Sequence, residues 1–505
     1  VAGWSYEDAD DIFLQLHNHF KDNFFFEIQG HNTVKQKELN QRIYDLSKEH
    51  GINMIVGLDS HFIYPEQASE RDYLLASRGL HYDEEDDWDM DYPDEKTVLD
   101  RFMRQGVFDQ ATVQKAMDNT DLLLDFEDYD ILPDGSPNPI FSTEVKLPTL
   151  FDGEHIIDGQ KLPKLSQKQK DSALNKIVSR EYKKWVKDYP PEEKKRYFDG
   201  IKDEMQTIKD TKMADYFLID YYIVKKALEN GAVLTNTGRG SAVSFMVNTL
   251  LGFSKVDRFK SPIKLYPERF MSTSRILESA SLPDIDLNWG TVEIAEEAQK
   301  EIMGEKHVYP MIAFGTAKKK SAFKMYARAQ KMDFDLANAI SKQIEKYDEA
   351  VKYADDDEKD EINIYDYVHE QYHSYIDASK KYWGIITDKK KAPCSYLLYN
   401  GDIEREIGLI KCKSESTKKE YITTVVDGSI AEKYKFLKND LLKVDSALLI
   451  DKVYKRIGQK PDTVNELVEK TKDDPKVWAI YGRGLTVGVN QCEKPSTTKK
   501  ATKYK

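Results

Sequence analysis

From Asp8 to Phe20 apolar side chains return at helical spacing, and Phe24 to Ile28 then reads as a strand. Thr33 to His50 is an amphipathic helix by its period, and the apolar run Ile52 to Leu58 predicts a buried strand. The chain therefore opens on alternating β and α elements. A long charged stretch, Lys164 to Lys212, keeps helical spacing apart from a break at Pro190-Pro191 and leads into the more apolar Tyr216 to Leu228. The main catalytic domain is expected around it. From Phe314 to about Tyr382 the pattern is mostly helical, interrupted by the acidic stretch Asp355 to Glu361, and strand-like segments return near Leu397 and from Tyr421 to Val426. A helical insertion within a sheet domain has this signature. Beyond Asp445 helical periodicity resumes, the basic end Thr497 to Lys505 carries no helix cap or hydrophobic closure, and no internal repeat is visible.

Length adds that one hydrophobic core is not enough: 505 residues predict roughly three or four domains. An apolar share of 40% with 32% charged residues fits sizeable buried cores and excludes general disorder. No run approaches the ~20 apolar residues of a membrane span, the longest being stretches such as Phe245 to Phe253. The start, Val1-Ala2-Gly3-Trp4, lacks the regions of a signal peptide, and only Cys394, Cys412 and Cys492 are available for disulfides or metals, so a reducing, cytoplasmic setting is expected. The net charge of −13 argues against a uniformly basic nucleic-acid coat, but the placement of charge decides binding, not the sum. The acidic runs Asp83 to Asp89 and Asp355 to Glu361 read as solvated faces or loops.

Candidate chemistry begins at Leu282-Pro283-Asp284-Ile285-Asp286-Leu287. On a strand its two acids point one way while Ile285 and Leu287 point into a core. Hard divalent ions such as Mg²⁺ take oxygen ligands, and a pair of ions about 3.5–4 Å apart clamps an in-line displacement at phosphorus, so phosphoryl or nucleotidyl transfer is the natural chemistry. Asp-x-Asp on a surface strand or turn is also common. Downstream, Leu441-Leu442-Lys443-Val444-Asp445 offers another acid at the end of an apolar strand with Lys443 on its face; an ion pair capping the strand is the plainer reading.

Upstream, Asn236-Thr237-Gly238-Arg239-Gly240-Ser241 precedes the helix-like run Ala242 to Leu251. Two glycines allow close backbone approach, and N–H groups at a helix start hold phosphate, with Ser241 adding a hydroxyl and Arg239 a charge. The loop is neither a dinucleotide fingerprint nor a Walker loop, and an ordinary glycine turn is the alternative. After Phe314-Gly315-Thr316, Lys320, Lys324 and Arg328 recur every four residues along one helical face with Thr316 as expected cap, a strip that either tracks phosphates or is simply solvated. Arg269 and Arg275 flank the same region as further phosphate-contact candidates.

Together, Gly-Arg-Gly-Ser at 238–241, Pro-Glu-Arg-Phe at 267–270, Pro-Asp-Ile-Asp-Leu at 283–287, Phe-Gly-Thr at 314–316 and Leu-Lys-Val-Asp at 442–445 resemble, in order and spacing, the bacterial DNA polymerase III alpha subunits, the C-family replicative polymerases. Gly484 to Glu493 looks like the start of that family's fingers, and nearly the whole chain is covered. The resemblance implies an α/β and α+β multidomain fold: the C-terminal part of a PHP (polymerase and histidinol phosphatase) β/α barrel over 1–130, a polymerase-beta-like nucleotidyltransferase palm over 131–316 and 396–455, a helical thumb over 317–395, and partial fingers over 456–505.

It further implies that Asp284, Asp286 and Asp445 are catalytic and hold two Mg²⁺ ions. Gly238, Arg239, Gly240 and Ser241 become contacts to the incoming triphosphate, and Arg269, Arg275, Lys320 and Lys443 phosphate contacts. Gly57-Leu58-Asp59-Ser60-His61 matches the last metal motif of the PHP domain. Earlier ligands of that domain are expected upstream of Val1, so Asp59 and His61 are an incomplete residue of it and no PHP phosphoesterase activity is expected. His17 and His19, two apart on a helical pattern, diverge and receive no function. The implied reaction is template-directed transfer of deoxynucleotides from dNTPs to a primer 3′-hydroxyl. Primer-template DNA and dNTPs are then the partners, and sliding-clamp and other replisome contacts lie largely beyond Lys505.

The pattern departs from one branch of the family, since no four-cysteine zinc insertion or embedded proofreading exonuclease is present, while Asn288 after the second acid matches that branch. A divergent polymerase of bacterial or phage origin accommodates the mixture. The missing PHP ligands, the absent initiating Met and the end within the fingers point to a fragment. Two rivals follow: a non-catalytic nucleic-acid or subunit-binding piece, and a metal phosphoesterase working through Asp59 and His61.

Overall fold

The structure, a computed structural model, describes residues 6–85, 88–125, 142, 144–235, 237–261, 263–279, 282–354, 359–413, 419–489 and 492–503. Asn236, most of the acidic stretch at 355–361, and Asn490-Gln491 lie outside them. The chain divides into two compact units, one made of 1–129 and 316–387, the other of 130–315 and 388–505.

In the first unit helix α1 (Tyr6–Phe20), strand β1 (Phe26–Gln29), helix α2 (Val34–His50) and strand β2 (Met54–Gly57) follow one another as the hydrophobic pattern predicts. Thr33 accepts the Gln36 N–H at the start of α2, and Gly51 ends it in the left-handed conformation. β1 and β2 pair in parallel, Phe26 opposite Met54 and Gln29 opposite Gly57. Helices α3 (Ala68–Ser77), α4 (Glu95–Gln105) and α5 (Gln110–Asp118) follow, and buried Asn40 on α2 donates to Gln105 of α4 (2.8 Å) and to the Gln29 carbonyl (2.8 Å).

The second unit opens with α6 (Gln167–Trp185), α7 (Pro191–Asp210) and α8 (Ala214–Glu229), split at Pro190-Pro191 as expected. Pro191 sits at the first turn of α7, where its missing N–H costs nothing. α8 is buried on most of its faces and forms the centre of the core with Phe217, Ile219, Ile223 and Val224. The run after Ser241 is not one helix. A single 3-10 turn, Ala242–Ser244, is followed by extended Phe245 (φ −117°, ψ 113°) and the short α9 (Met246–Leu250). A segment buried all round carries no periodic face to reveal such a break. Buried Glu204 of α7 holds the new start by accepting the Val247 N–H (2.8 Å), with Arg258 on its other oxygen (2.7 Å).

Strand β3 (Leu287–Trp289) leads to α10 (Val292–Met303) and β4 (Val308–Thr316). Helices α11 (Lys319–Ala329), α12 (Phe334–Tyr353) and α13 (His373–Lys380) then return to the first unit, where Phe323, Ala327, Ile340, Ile344 and Ile376 form a core of their own. Lys318, not Thr316, caps α11: the Ser321 hydroxyl accepts its N–H (2.8 Å), and Thr316 closes β4. The chain resumes the second unit with β5 (Ile386–Leu398), the hairpin β6 (Leu409–Lys413) and β7 (Glu420–Thr424), β8 (Leu437–Lys443) and α14 (Asp445–Arg456). The four-stranded sheet runs β3-β8-β5-β4, with β8 parallel to β3 and antiparallel to β5. Among the described residues no helix is long and apolar enough to cross a membrane.

Behind β8, Asn439 donates to Gln299 of α10 (2.9 Å) and to Asp220 of α8 (3.3 Å), all three side chains buried. Burial pushes the Asp220 carboxyl up from 3.8 to about 7. With the folded value above the unfolded one, its contribution to stability is intact below about pH 4 and is lost as pH rises through 7. Asp220→Asn keeps the acceptor for Asn439 and removes that loss. Its stabilisation in chemical denaturation is expected to be larger at pH 8 than at pH 5 by roughly 2 kcal/mol.

Candidate active site

Asp284 and Asp286 lie in an extended segment just ahead of β3, since ladder pairing begins only at Leu287. Pro283 has no N–H to donate, and the segment takes its polar partner from the helix beneath instead. Buried Tyr216 of α8 donates its hydroxyl to the Pro283 carbonyl (2.7 Å) and accepts the Ile285 N–H (3.0 Å). Alternation holds: Pro283, Ile285 and Leu287 are buried, Asp284 is exposed and Asp286 half-buried. No hydrogen bond or ion pair among the described residues uses either carboxylate.

The glycine loop sits directly on this pair. Gly240 has φ +65°, and a Cβ built there would stand 2.5 Å from Oδ2 of Asp286. A Cβ on Gly238 would meet Val243 at 2.4 Å and the Ser254 hydroxyl at 2.8 Å. Both glycines are therefore required, one by φ and close approach, the other by packing. Burial holds the Asp286 carboxyl above its ordinary range, with Arg239 of the same loop opposing it.

A second strand completes the cluster. Leu441, Leu442 and Lys443 of β8 pair with Leu287, Asn288 and Trp289. Continued past the paired residues, this register runs Asp440 toward Asp286 and Lys438 toward Asp284, and both Lys438 and Asp440 act on the two carboxyls. Lys438 binds Asp440 at 3.2 Å, and Ser395 of β5 donates to Asp440 at 2.6 Å. Burial raises the Asp284 carboxyl, Asp440 and Asp286 push it further, and Lys438 opposes them. Burial alone would lower the Lys438 ammonium, but Asp284, Asp440 and Glu432 hold it well above its ordinary range. Arg275 joins Asp284, Glu432, Lys435 and Lys438 around a cleft of about 300 Å³, and its guanidinium also donates to the Arg269 carbonyl (3.3 Å). Arg269 itself is exposed on the turn Pro267–Arg269.

Asp445 and Lys443 stand elsewhere. β8 buries Leu437, Asn439 and Leu441 and turns Lys438, Asp440 and Leu442 outward, so residues 443 and 445 fall on the inward parity. An uncompensated charge cannot follow that face into the core, and the strand ends at Lys443. Asp445 becomes the first residue of α14, its carboxylate 83% exposed and 3.3 Å from Lys443. The neighbouring charges felt by Asp284 and Asp286 include Lys438, Asp440 and Arg239. Around the end of β8 Lys-x-Asp occurs at 438–440 and again at 443–445. Strand parity puts Lys438 and Asp440 on one face and Lys443 on the other.

In the other unit, Lys320 is ion-paired with Glu345, Lys324 donates to Asn338 (2.7 Å) and Arg328 to the Ser77 carbonyl (3.2 Å). Asp59, at φ +48° just after β2, lies 3.5 Å from His61. Among the described residues no three His, Cys, Asp or Glu side chains there or elsewhere close into a ready-made metal cage. At Asp284, Asp286 and Asp440 the donor set nevertheless fits a hard divalent cation: two carboxylates without a hydrogen bond or ion pair among the described residues stand beside a third, the first two raised by burial and then by neighbouring acids, with Lys438 and Arg239 opposing.

A glycine loop seated on paired acids, next to cations, is an arrangement suited to phosphate-bearing substrates. The chain belongs to the family described as the bacterial DNA polymerase III alpha NTPase domain, whose model matches residues 172–443 and so spans β3, β8 and the glycine loop. It is similar to the DNA polymerase III subunit alpha of Campylobacter jejuni (22% identical over 501 residues, 97% of this chain and 40% of the relative). Similar too are that of Thermus aquaticus (23% over 527 residues, 95% and 41%) and a probable DNA polymerase, YorL, of Bacillus subtilis (23% over 507 residues, 92% and 37%). The chain thus spans about two fifths of the length of these curated relatives.

Proposed function

We propose that this chain carries the nucleotidyl-transfer centre of a template-directed DNA polymerase, which adds deoxynucleotides from dNTPs to a primer 3′-hydroxyl in DNA replication. The observation that carries this reading is the approach of Gly240 to Asp286, where the glycine loop meets the paired carboxylates. Asp284, Asp286 and Asp440 are the proposed holders of two Mg²⁺ ions, with Asp440 in the role expected of Asp445. Bound Mg²⁺ supplies activation of the 3′-hydroxyl and neutralisation of the leaving pyrophosphate.

The chain's own groups do the rest. Ser241 and the backbone of Gly238 to Gly240 cradle the triphosphate, Arg239 and Arg275 add charge, and Lys438 replaces Lys443 as the cation beside the third acid. Before substrate arrives Lys438 balances the acids, and the α-phosphate offers it a second partner. The PHP, palm, thumb and fingers divisions belong to the same proposal, as do primer-template DNA and replisome partners. Asp59 and His61 receive no catalytic role.

Primer extension tests the reading: in Mg²⁺ the chain is expected to add only the nucleotide complementary to the template. Binding of primer-template without any extension, in Mg²⁺ or Mn²⁺, would instead identify a non-catalytic DNA-binding piece. Gly240→Ala forces a Cβ into a left-handed residue and against Asp286. Single-nucleotide incorporation is expected to fall about 10–100-fold with only a few degrees lost in Tm, a split read by rapid quench and calorimetry.

A further inference from the structure

Tyr216 lies outside every motif that marks this site, yet it touches the acid segment at two points. It is 3% exposed, and its ring packs edge-on against Phe217, 5.4 Å between centroids. The Pro283 carbonyl can only accept and the Ile285 N–H can only donate, so the hydroxyl's roles are fixed by its partners. These two backbone groups bracket Asp284. One turn further along the same helix, Asp220 holds Asn439, the residue between Lys438 and Asp440. A single helix thereby anchors, from below, both segments that carry the carboxylates.

The segment has reason to need this anchor. Its ladder with β8 begins only at Leu287, and proline removes one donor ahead of it, so Asp284 and Asp286 have no strand pairing to set their spacing. With no cation between them, the like charges of these neighbouring acids also repel one another. A buried hydroxyl that donates on one side of Asp284 and accepts on the other fixes the backbone without adding charge near the metal ligands.

Resting on the polymerase reading above, we propose that Tyr216 is a positioning residue for nucleotidyl transfer, its hydroxyl locking the Pro283–Ile285 backbone so that Asp284 and Asp286 meet the incoming cations at fixed separation. Tyr216→Phe keeps the ring and removes only the lock. Three readouts on the chain test it: hydrogen exchange of the Ile285 amide, Mn²⁺ binding by electron paramagnetic resonance, and the metal dependence of incorporation.

The expected results are faster exchange at Ile285, weaker Mn²⁺ binding by about 10-fold, and a kcat lowered 10-fold or more with dNTP KM changed less than 3-fold. Excess Mn²⁺ is expected to restore part of the rate. Unchanged Mn²⁺ affinity in the variant, with or without a fall in Tm, overturns the proposal, because a merely structural tyrosine would leave the metal site as it was. An unaltered chain that binds Mn²⁺ but extends no primer would count against the polymerase reading alone, since exchange and Mn²⁺ affinity still report on Tyr216.

Discussion

Asp440→Asn is expected to lower primer extension by about 10²–10³-fold or more, whereas Asp445→Asn is expected to stay within about 3-fold of the unaltered chain. The contrast follows from strand register. Asp440 faces out of β8, where the register runs it toward Asp286, while Asp445 opens the next helix with its carboxylate in solvent. An exposed pair such as Lys443–Asp445 contributes little, of order 0–1 kcal/mol, so its loss leaves both fold and site intact. Single-nucleotide incorporation measured side by side on the two variants decides the matter. Equal loss in both would mean that the acids converge in a conformation different from this one, and loss in Asp445→Asn alone would restore the resemblance-based assignment.

Asp286→Asn is expected to abolish incorporation to a similar or greater extent, with the fold unharmed or slightly more stable. Its carboxylate accepts no hydrogen bond among the described residues, so the amide breaks nothing. Burial and Asp440 raise it, so removing the charge relieves repulsion in the empty site. Loss of function with gain of stability is the signature of a group kept for a cation. A Tm held or raised by up to a few degrees, together with a collapse in rate, is the result to look for. A large fall in Tm would mark Asp286 as a structural acid.

Where the hydrophobic period was clean, the fold could be read directly. Thr33 and Gly51 bounded a helix whose polar and apolar faces were distinct, and Pro190-Pro191 split two helices at the place the pattern named. The Ala242 to Leu251 run misled because it is buried on every side, leaving no face to show that Phe245 is extended. The glycine loop and Asp284-x-Asp286 were legible because a short spacing puts their chemistry together locally. Asp440 carried no such local signal, since its place beside them depends on pairing between strands far apart in the chain. The Lys-x-Asp triplets at 438–440 and 443–445 look alike in sequence, and the burial of Leu437, Asn439 and Leu441 turns Lys438 and Asp440 to the other face of the strand. Tyr216 left no mark at all: in an apolar helix an aromatic reads as core, and its hydroxyl matters only once Pro283 and Ile285 are known to lie above it.

The most direct test is anomalous scattering from crystals of the chain soaked in Mn²⁺ with a non-hydrolysable dNTP, because it locates the ions whatever the activity of this chain. The account predicts two peaks within coordination distance of Asp284, Asp286 and Asp440, bordered by the Gly238 to Ser241 loop. Peaks at Asp445, or at Asp59 and His61, with none beside Asp284 and Asp286, would contradict it.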